Sequence, residues 1–294
     1  MLVTPILAAI AVLGVSASGP LMAAAAAPAL AIAFWRNAAA AVVLTPFAAR
    51  SARRGDRLPK ALVGRTMLAG ALLALHFATW VQALKLTSVA AATALVTTQL
   101  LWVVLIDRLG GTKVSRAVLI GCGLSIIGVV TISGVDFSLS REALAGDVLA
   151  IVGGGFAAGY VIVGAGIRRT VSTTVYTTWC YGTCAVLLLV AAVLTGTSLT
   201  GFSAQAWALI AGVTVCAQFL GHSLLNHLLA VMSPLVVSLT LLLEVPGAAI
   251  LAAVFLDEAL PAGTYLGVGL MLAGLAVVVL TRREPLPDEP LVAD

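Results

Sequence analysis

Continuous apolar runs, interrupted by glycine, proline and charged residues, recur ten times along the chain. They fall at 4–21, 28–49, 62–83, 88–106 and 115–134 in the first half, and at 146–166, 173–195, 205–228, 234–255 and 262–281 in the second. Each is long enough for a membrane-spanning helix, which needs about 20 apolar residues. Strands of a membrane barrel alternate apolar and polar positions over about ten residues. These runs do not alternate, so the pattern predicts an all-α integral membrane protein of ten transmembrane helices.

Composition agrees. Of 294 residues 61% are hydrophobic and 10% charged, with a mean hydropathy of +1.13, whereas a soluble domain carries about 25% charged residues. Soluble enzymes, disordered chains and nucleic-acid binders are excluded, and little chain is left for a soluble domain. The N-terminus, Met1-Leu2-Val3-Thr4-Pro5, lacks the basic region of a secretory signal and reads as the start of an uncleaved first helix. Cys122, Cys180, Cys184 and Cys216 all lie in apolar runs without metal-ligand spacing and read as small hydrophobes.

Lysine and arginine set the orientation. One alternate set of loops and ends holds Arg50, Arg53, Arg54, Arg57, Lys60, Arg65, Arg108, Lys113, Arg116, Arg168, Arg169, Arg282 and Arg283, while the other holds only Lys85 and Arg141. Positive residues stay on the cytoplasmic side. Both termini are therefore expected in the cytoplasm, with the protein multi-pass in a plasma or inner membrane.

The halves match at a shift of 146 residues. Gly121-Cys122-Gly123-Leu124-Ser125-Ile126-Ile127-Gly128 falls on Gly267-Val268-Gly269-Leu270-Met271-Leu272-Ala273-Gly274, and His76 falls on His222. The match rests on the shared G-x-G-L-x-x-x-G spacing and on hydropathy, since identity is low. With five spans per half, the second half must enter the membrane from the opposite side, a common build of secondary transporters. The glycines, with Gly155-x-x-x-Gly159 and Gly263-x-x-x-Gly267, read as close-packing positions between helices.

Three stretches carry a family resemblance: Gly221-His222-Ser223-Leu224-Leu225-Asn226, Ser233-Pro234-Leu235-Val236-Val237-Ser238 and Leu243-Glu244-Val245-Pro246-Gly247-Ala248-Ala249. With them, 205–281 resembles the second half of the EamA family of the drug/metabolite transporter superfamily. Phe255-Leu256-Asp257-Glu258-Ala259-Leu260 is similar to that family's ending of span nine, and the first half resembles it through Phe34-Trp35-Arg36 and 84–130. The resemblance implies two five-helix repeats (2–134 and 146–281, followed by a cytoplasmic tail at 282–294) and carrier activity on metabolites, amino acids or drugs. Export is a family-level expectation. The chain departs from the family in spacing Glu244 and Pro246 one residue farther apart, and in placing Thr98 and Thr112 opposite Glu244 and Glu258.

A charged group at a helix centre costs about 2.5–3.5 kcal/mol on insertion scales, so it faces the bundle interior. Arg36 and Glu244 are such groups. Pro246 lacks the N–H that continues a helix ladder, so a kink is expected beside Glu244. Two readings of Glu244 stay open: a cavity acid for a cationic group or coupling proton, or a lock on the kink. Gln218, His222 and Asn226 recur at i, i+4 and i+8, His76 and Trp80 at i and i+4, and the fourth span offers Gln99 and Trp102. These eight residues, Glu244 included, form the candidate binding set, with Arg36 and Pro246 structural. The histidines are read as substrate-lining, as interhelical hydrogen-bonding groups or as proton carriers. Trp80, Trp102, Tyr160 and Trp179 either stack on a substrate or anchor helices, and His227 reads as interfacial.

No phosphate loop, zinc motif or nucleophile triad is present in the sequence. The expected partners are a small-molecule substrate, membrane lipid and a coupling proton, with no cofactor and no nucleic acid, in a monomer or homodimer. An intramembrane lipid-modifying enzyme is the alternative.

Overall fold

The computed structural model describes residues 3–111, 114–133, 140–257 and 262–281. Thr112, Lys113, Glu258 and the tail from 282 onward, all used in the sequence reading, lie outside these residues. The described residues are helical throughout, without a strand. In chain order the helices are α1 (Val3–Ser16), α2 (Ser18–Ala24), α3 (Ala29–Arg53), α4 (Lys60–Ala83), α5 (Val89–Val96), α6 (Gln99–Leu109), α7 (Arg116–Ser133) and α8 (Arg141–Arg168). Then follow α9 (Thr173–Leu194), α10 (Ala204–Val213), a π-helical segment (Thr214–Ser223), α11 (Leu224–Leu228), α12 (Pro234–Leu241), α13 (Glu244–Phe255) and α14 (Ala262–Thr281).

Eight helical stretches are long and apolar enough to cross a membrane: Val3–Ala24, Ala29–Arg53, Lys60–Ala83, Val89–Leu109, Arg141–Arg168, Thr173–Leu194, Ala204–Leu228 and Pro234–Phe255. The other two predicted spans coincide with α7 and α14, whose apolar cores, Arg116–Thr131 and Tyr265–Gly274, are shorter.

Helix starts are set by serines. Ser88, Ser140, Ser172, Ser203 and Ser233 stand at N-caps, and their hydroxyls accept from the backbone N–H of Ala91, Ala143, Val175, Ala206 and Val236. Each satisfies one donor that the first turn leaves orphaned. Pro234 follows Ser233 in the first turn, where its missing N–H costs nothing.

Four predicted spans are not single α-helices. The first bends at Ala17, between α1 and α2, and the eighth carries the π segment. The ninth breaks at Leu242–Leu243, four and three residues before Pro246. A proline ring clashes with the carbonyl four residues back and cannot bond it, and Leu242 is that residue. The ladder is patched by shorter bonds, Leu242 N–H to Leu239 O and Leu243 N–H to Thr240 O, both 3.2 Å. The fourth span breaks at Thr97–Thr98, one residue from the equivalent register, without a proline. There the hydroxyls of Thr97 and Thr98 donate to Ala94 O (2.6 Å) and Leu95 O (2.7 Å). Hydroxyl back-bonding of this kind competes with the helix ladder and bends helices.

Helix packing follows the 146-residue shift. That shift carries α3 onto α9, α7 onto α14 and α5–α6 onto α12–α13, and the members of each pair pack against each other. It also carries the α4–α8 contact onto the contact of the π segment with α1. Because lipid removes the hydrophobic drive between helices, close approach of small residues matters. A Cβ on Gly274 would stand 2.5 Å from Gly121 O, so the shared glycine motif is where α7 and α14 cross. Gly123 and Gly269 of the same motif have nothing within 4 Å. Gly154, rather than Gly155 or Gly159, makes the tightest approach of α8, with a Cβ position 2.6 Å from Val96 O.

A Cβ on Gly14 would stand 2.4 Å from Cys216 O and 3.0 Å from Gly221 N, both backbone. Neither atom can rotate away. Gly14→Ala is expected to cost about 3 kcal/mol and to lower the thermal unfolding midpoint of the purified protein in detergent. Gly123→Ala, which meets open space, should leave that midpoint unchanged.

Candidate functional site

The broken helices meet around a cavity of about 50 Å3. Its wall takes His76 and Trp80 from α4, Thr97 and Gln99 from the α5–α6 break, and Tyr160 from α8. From the second half it takes His222 of the π segment, Asn226 of α11, Ser238 of α12 and Glu244 at the start of α13. Valines, leucines and Ala157 fill the rest. Both helix breaks therefore place their polar residues on the same space.

His76 and His222 face each other with ring centres 6.4 Å apart. The Nδ1 of His76 lies 3.0 Å from Gly153 O. A carbonyl only accepts, so Nδ1 carries the proton and a neutral His76 leaves Nε2 with a lone pair. Trp80 stacks on His76 at 5.6 Å with an interplanar angle of 16°. Phe77 packs edge-on to His222 at 5.3 Å.

Glu244 accepts one long hydrogen bond, from Ser18 Oγ at 3.4 Å. Its second oxygen has no hydrogen-bond partner among the described residues. Gln99 Nε2 donates to Ser238 Oγ at 2.8 Å and so ties the two breaks together. On the opposite wall Tyr160 OH donates to Asn226 Oδ1 (2.7 Å), and Asn226 Nδ2 donates to Tyr181 OH (3.3 Å).

Arg36 stands behind the wall, wholly buried. Its Nε donates to Gln218 Oε1 at 2.8 Å, its guanidinium lies 4.3 Å over the Phe77 ring, and one Nη approaches Met22 Sδ at 3.4 Å. Gln218 in turn donates to Asn37 Oδ1 at 3.1 Å, and Asn37 donates to Ala33 O. The buried cation is thus held by an amide chain and an aromatic face.

Two further cations tie helix ends. Lys85 Nζ donates to Met22 O (2.8 Å), Ala23 O (3.3 Å) and Ala25 O (2.7 Å), the carbonyls left open at the end of α2. Burial holds its ammonium below the ordinary lysine value. Arg168 donates to Asn226 O (2.8 Å), to Val171 O and to Thr173 Oγ1 (2.6 Å). Ala25 and Val171 are 146 residues apart, the register that relates the histidines.

Of the residues singled out in the sequence, His76, Trp80, Gln99, His222, Asn226 and Glu244 come together in the wall. Gln218 does not. It lies within the π segment, fully buried, and is consumed by Arg36 and Asn37. Trp102 is also outside the wall: it lies against Gly155 of α8 with 38% of its surface exposed. Trp179 is 50% exposed and lies on the outside. His227 meets Thr173 at 3.1 Å near the Arg168 tie. Thr97, Ser238 and Ser18 were missed, because a hydroxyl in an apolar run carries no signal of its own. Lys85 was read only as a loop charge. Among the described residues no group of three His, Cys, Asp or Glu side chains is placed to hold a metal.

None of the curated proteins matches the chain. One solved crystal structure superposes with a TM-score of 0.71, covering 96% of this chain and 99% of the other at 18% identity, a likeness of fold. The EamA-like transporter family matches residues 3–134 and 144–280, one repeat after the other. With nearly the whole length matched, the chain belongs to the EamA-like transporter family.

Proposed function

We propose that the protein is a secondary carrier of a small polar or amphipathic metabolite, built from ten transmembrane helices. On this reading 2–134 and 146–281 are five-helix repeats inserted in opposite directions, and 282–294 is a cytoplasmic tail. The substrate sits where the repeats meet, and the site opens to alternate sides as one repeat rocks against the other. The observation that carries the reading is the cavity between the two broken spans, with His76 and His222 in equivalent register and Glu244 beside them. The lysine and arginine distribution supports a plasma membrane with both termini cytoplasmic. Export across that membrane, with proton coupling through Glu244 or the histidines, completes the proposal.

The cavity of about 50 Å3 is smaller than a typical ligand pocket of about 300–1,000 Å3. That fits a contracted state of the site. An enzyme acting on lipid would need its polar groups at one membrane face, whereas here they come from the middle of two broken spans. Counterflow in proteoliposomes with amino acids, amines, nucleosides and sugars tests the carrier reading. Saturable exchange of at least one solute is expected. A folded, reconstituted protein that exchanges none of them overturns it.

A further inference from the structure

We infer that the cavity is built for the N–H-bearing head of a protonated amine, rather than for an anion, a neutral solute or a quaternary ammonium group. The inference rests on the carrier reading and names the substrate chemistry of the same site.

It follows from an account of donors and acceptors around the wall. Several of the donors are spent within the protein, while the Ser238 hydroxyl, which accepts from Gln99, keeps its own proton, and the Gln99 and Asn226 amides each keep a second N–H. Gln99 Nε2 donates to Ser238, Tyr160 OH to Asn226, Asn226 Nδ2 to Tyr181, Thr97 Oγ1 to Ala94 O and His76 Nδ1 to Gly153 O. Trp80 Nε1 has no partner but is sealed from the space. Arg36 is not in the wall, and its unpaired Nη2 is equally sealed. His222 offers one nitrogen of each kind when neutral.

The acceptors are left over. Glu244 keeps one carboxylate oxygen without a partner. Gln99 Oε1 and the lone pair of His76 Nε2 add two more, and the Thr97 hydroxyl, having given its proton to Ala94 O, presents only lone pairs. The charged group of the wall is thus an acceptor, and an ammonium entering this space brings one N–H to the Glu244 carboxylate and others to the neutral acceptors His76 Nε2 and Thr97 Oγ1.

An anion or a hydrogen-bond acceptor would leave these groups unpaired in a dry site, which is strongly disfavoured. A quaternary ammonium would satisfy the charge of Glu244 but none of the neutral acceptors. The stacked pair His76–Trp80 supplies a flat face for the carbon chain. The volume, about 50 Å3, holds roughly four water-sized atoms, the size of an ammonium with a three-carbon tail.

The test uses the full chain in lipid nanodiscs at neutral pH, with thermal unfolding followed as each ligand is titrated. The series is n-propylamine, its N-methyl, N,N-dimethyl and N,N,N-trimethyl derivatives, 1-butanol and butyrate. The primary and secondary amines are expected to stabilise the protein, with the dissociation constant rising at least tenfold by the trimethyl compound. Butanol and butyrate are expected to give no shift at the same concentrations. Equal or tighter binding of the trimethyl compound overturns the inference, as does binding of butyrate or butanol in preference to the amines, or no binding of any amine. Counterflow on the same preparation separates the two levels. Saturable exchange of a solute without a cationic N–H head refutes the amine assignment and leaves the carrier standing. A folded preparation that exchanges nothing refutes the carrier reading itself.

Discussion

Glu244→Gln is expected to fold as the parent does and to lose about 100-fold of its saturable exchange. The substitution keeps the shape, and the amide oxygen can still accept from Ser18 Oγ. The break beside it belongs to Pro246, which is untouched. What disappears is a charge in a buried site. Removing one partner of a buried charge pair costs about 2–5 kcal/mol in bound complexes, and about 2.7 kcal/mol is a hundredfold. Initial counterflow rates, normalised to reconstituted protein, measure the loss. The helical circular dichroism and gel-filtration profile should not change. Undiminished exchange would show that Glu244 serves only to hold the bend.

Arg36→Ala is expected to be the most destabilising substitution near the cavity, at about 3–5 kcal/mol. The residue is wholly buried, so truncation opens a void under the Phe77 ring and leaves Gln218 Oε1 without its donor. Void formation and an orphaned buried amide each cost in the kcal/mol range, and the two add at this position. Arg36→Met fills most of the void and should recover part of the loss. Replacing Gln218 by Leu in that background removes the orphaned Oε1 but takes the donor from the buried Asn37 Oδ1, so a further gain is expected only when Asn37 is replaced by Leu as well, because apolar groups often substitute for buried polar ones without penalty. Unfolding midpoints in detergent rank these proteins. If Arg36→Ala melts with the parent, the amide chain through Gln218 and Asn37 contributes little to the fold.

The spans are legible because a membrane helix is announced by an unbroken apolar run, and eight of the ten predicted runs coincide with helical stretches long and apolar enough to cross a membrane. Entry points were less legible. The run at 146 begins inside a helix that Ser140 caps and that carries Arg141, Glu142 and Asp147 in its first two turns. Polar residues at a helix mouth hide its start from a hydropathy reading. The histidine pair was legible through the 146-residue shift, since two rare residues in equal register are hard to place by chance. The face assigned to Gln218, His222 and Asn226 presumed α geometry, and the π segment over Thr214–Ser223 broke that presumption at Gln218. Trp102 failed for a related reason. It sits one turn beyond a break the sequence did not announce, and its ring turns out towards Gly155.

The two halves break their central spans within one residue of the same register, by different chemistry. At Leu242–Leu243 the missing N–H of Pro246 is covalent and permanent. At Thr97–Thr98 two hydroxyls hold the chain through bonds to Ala94 O and Leu95 O. One elbow is soldered, while the other is fastened by two clips, each of which a single Thr→Val substitution would remove.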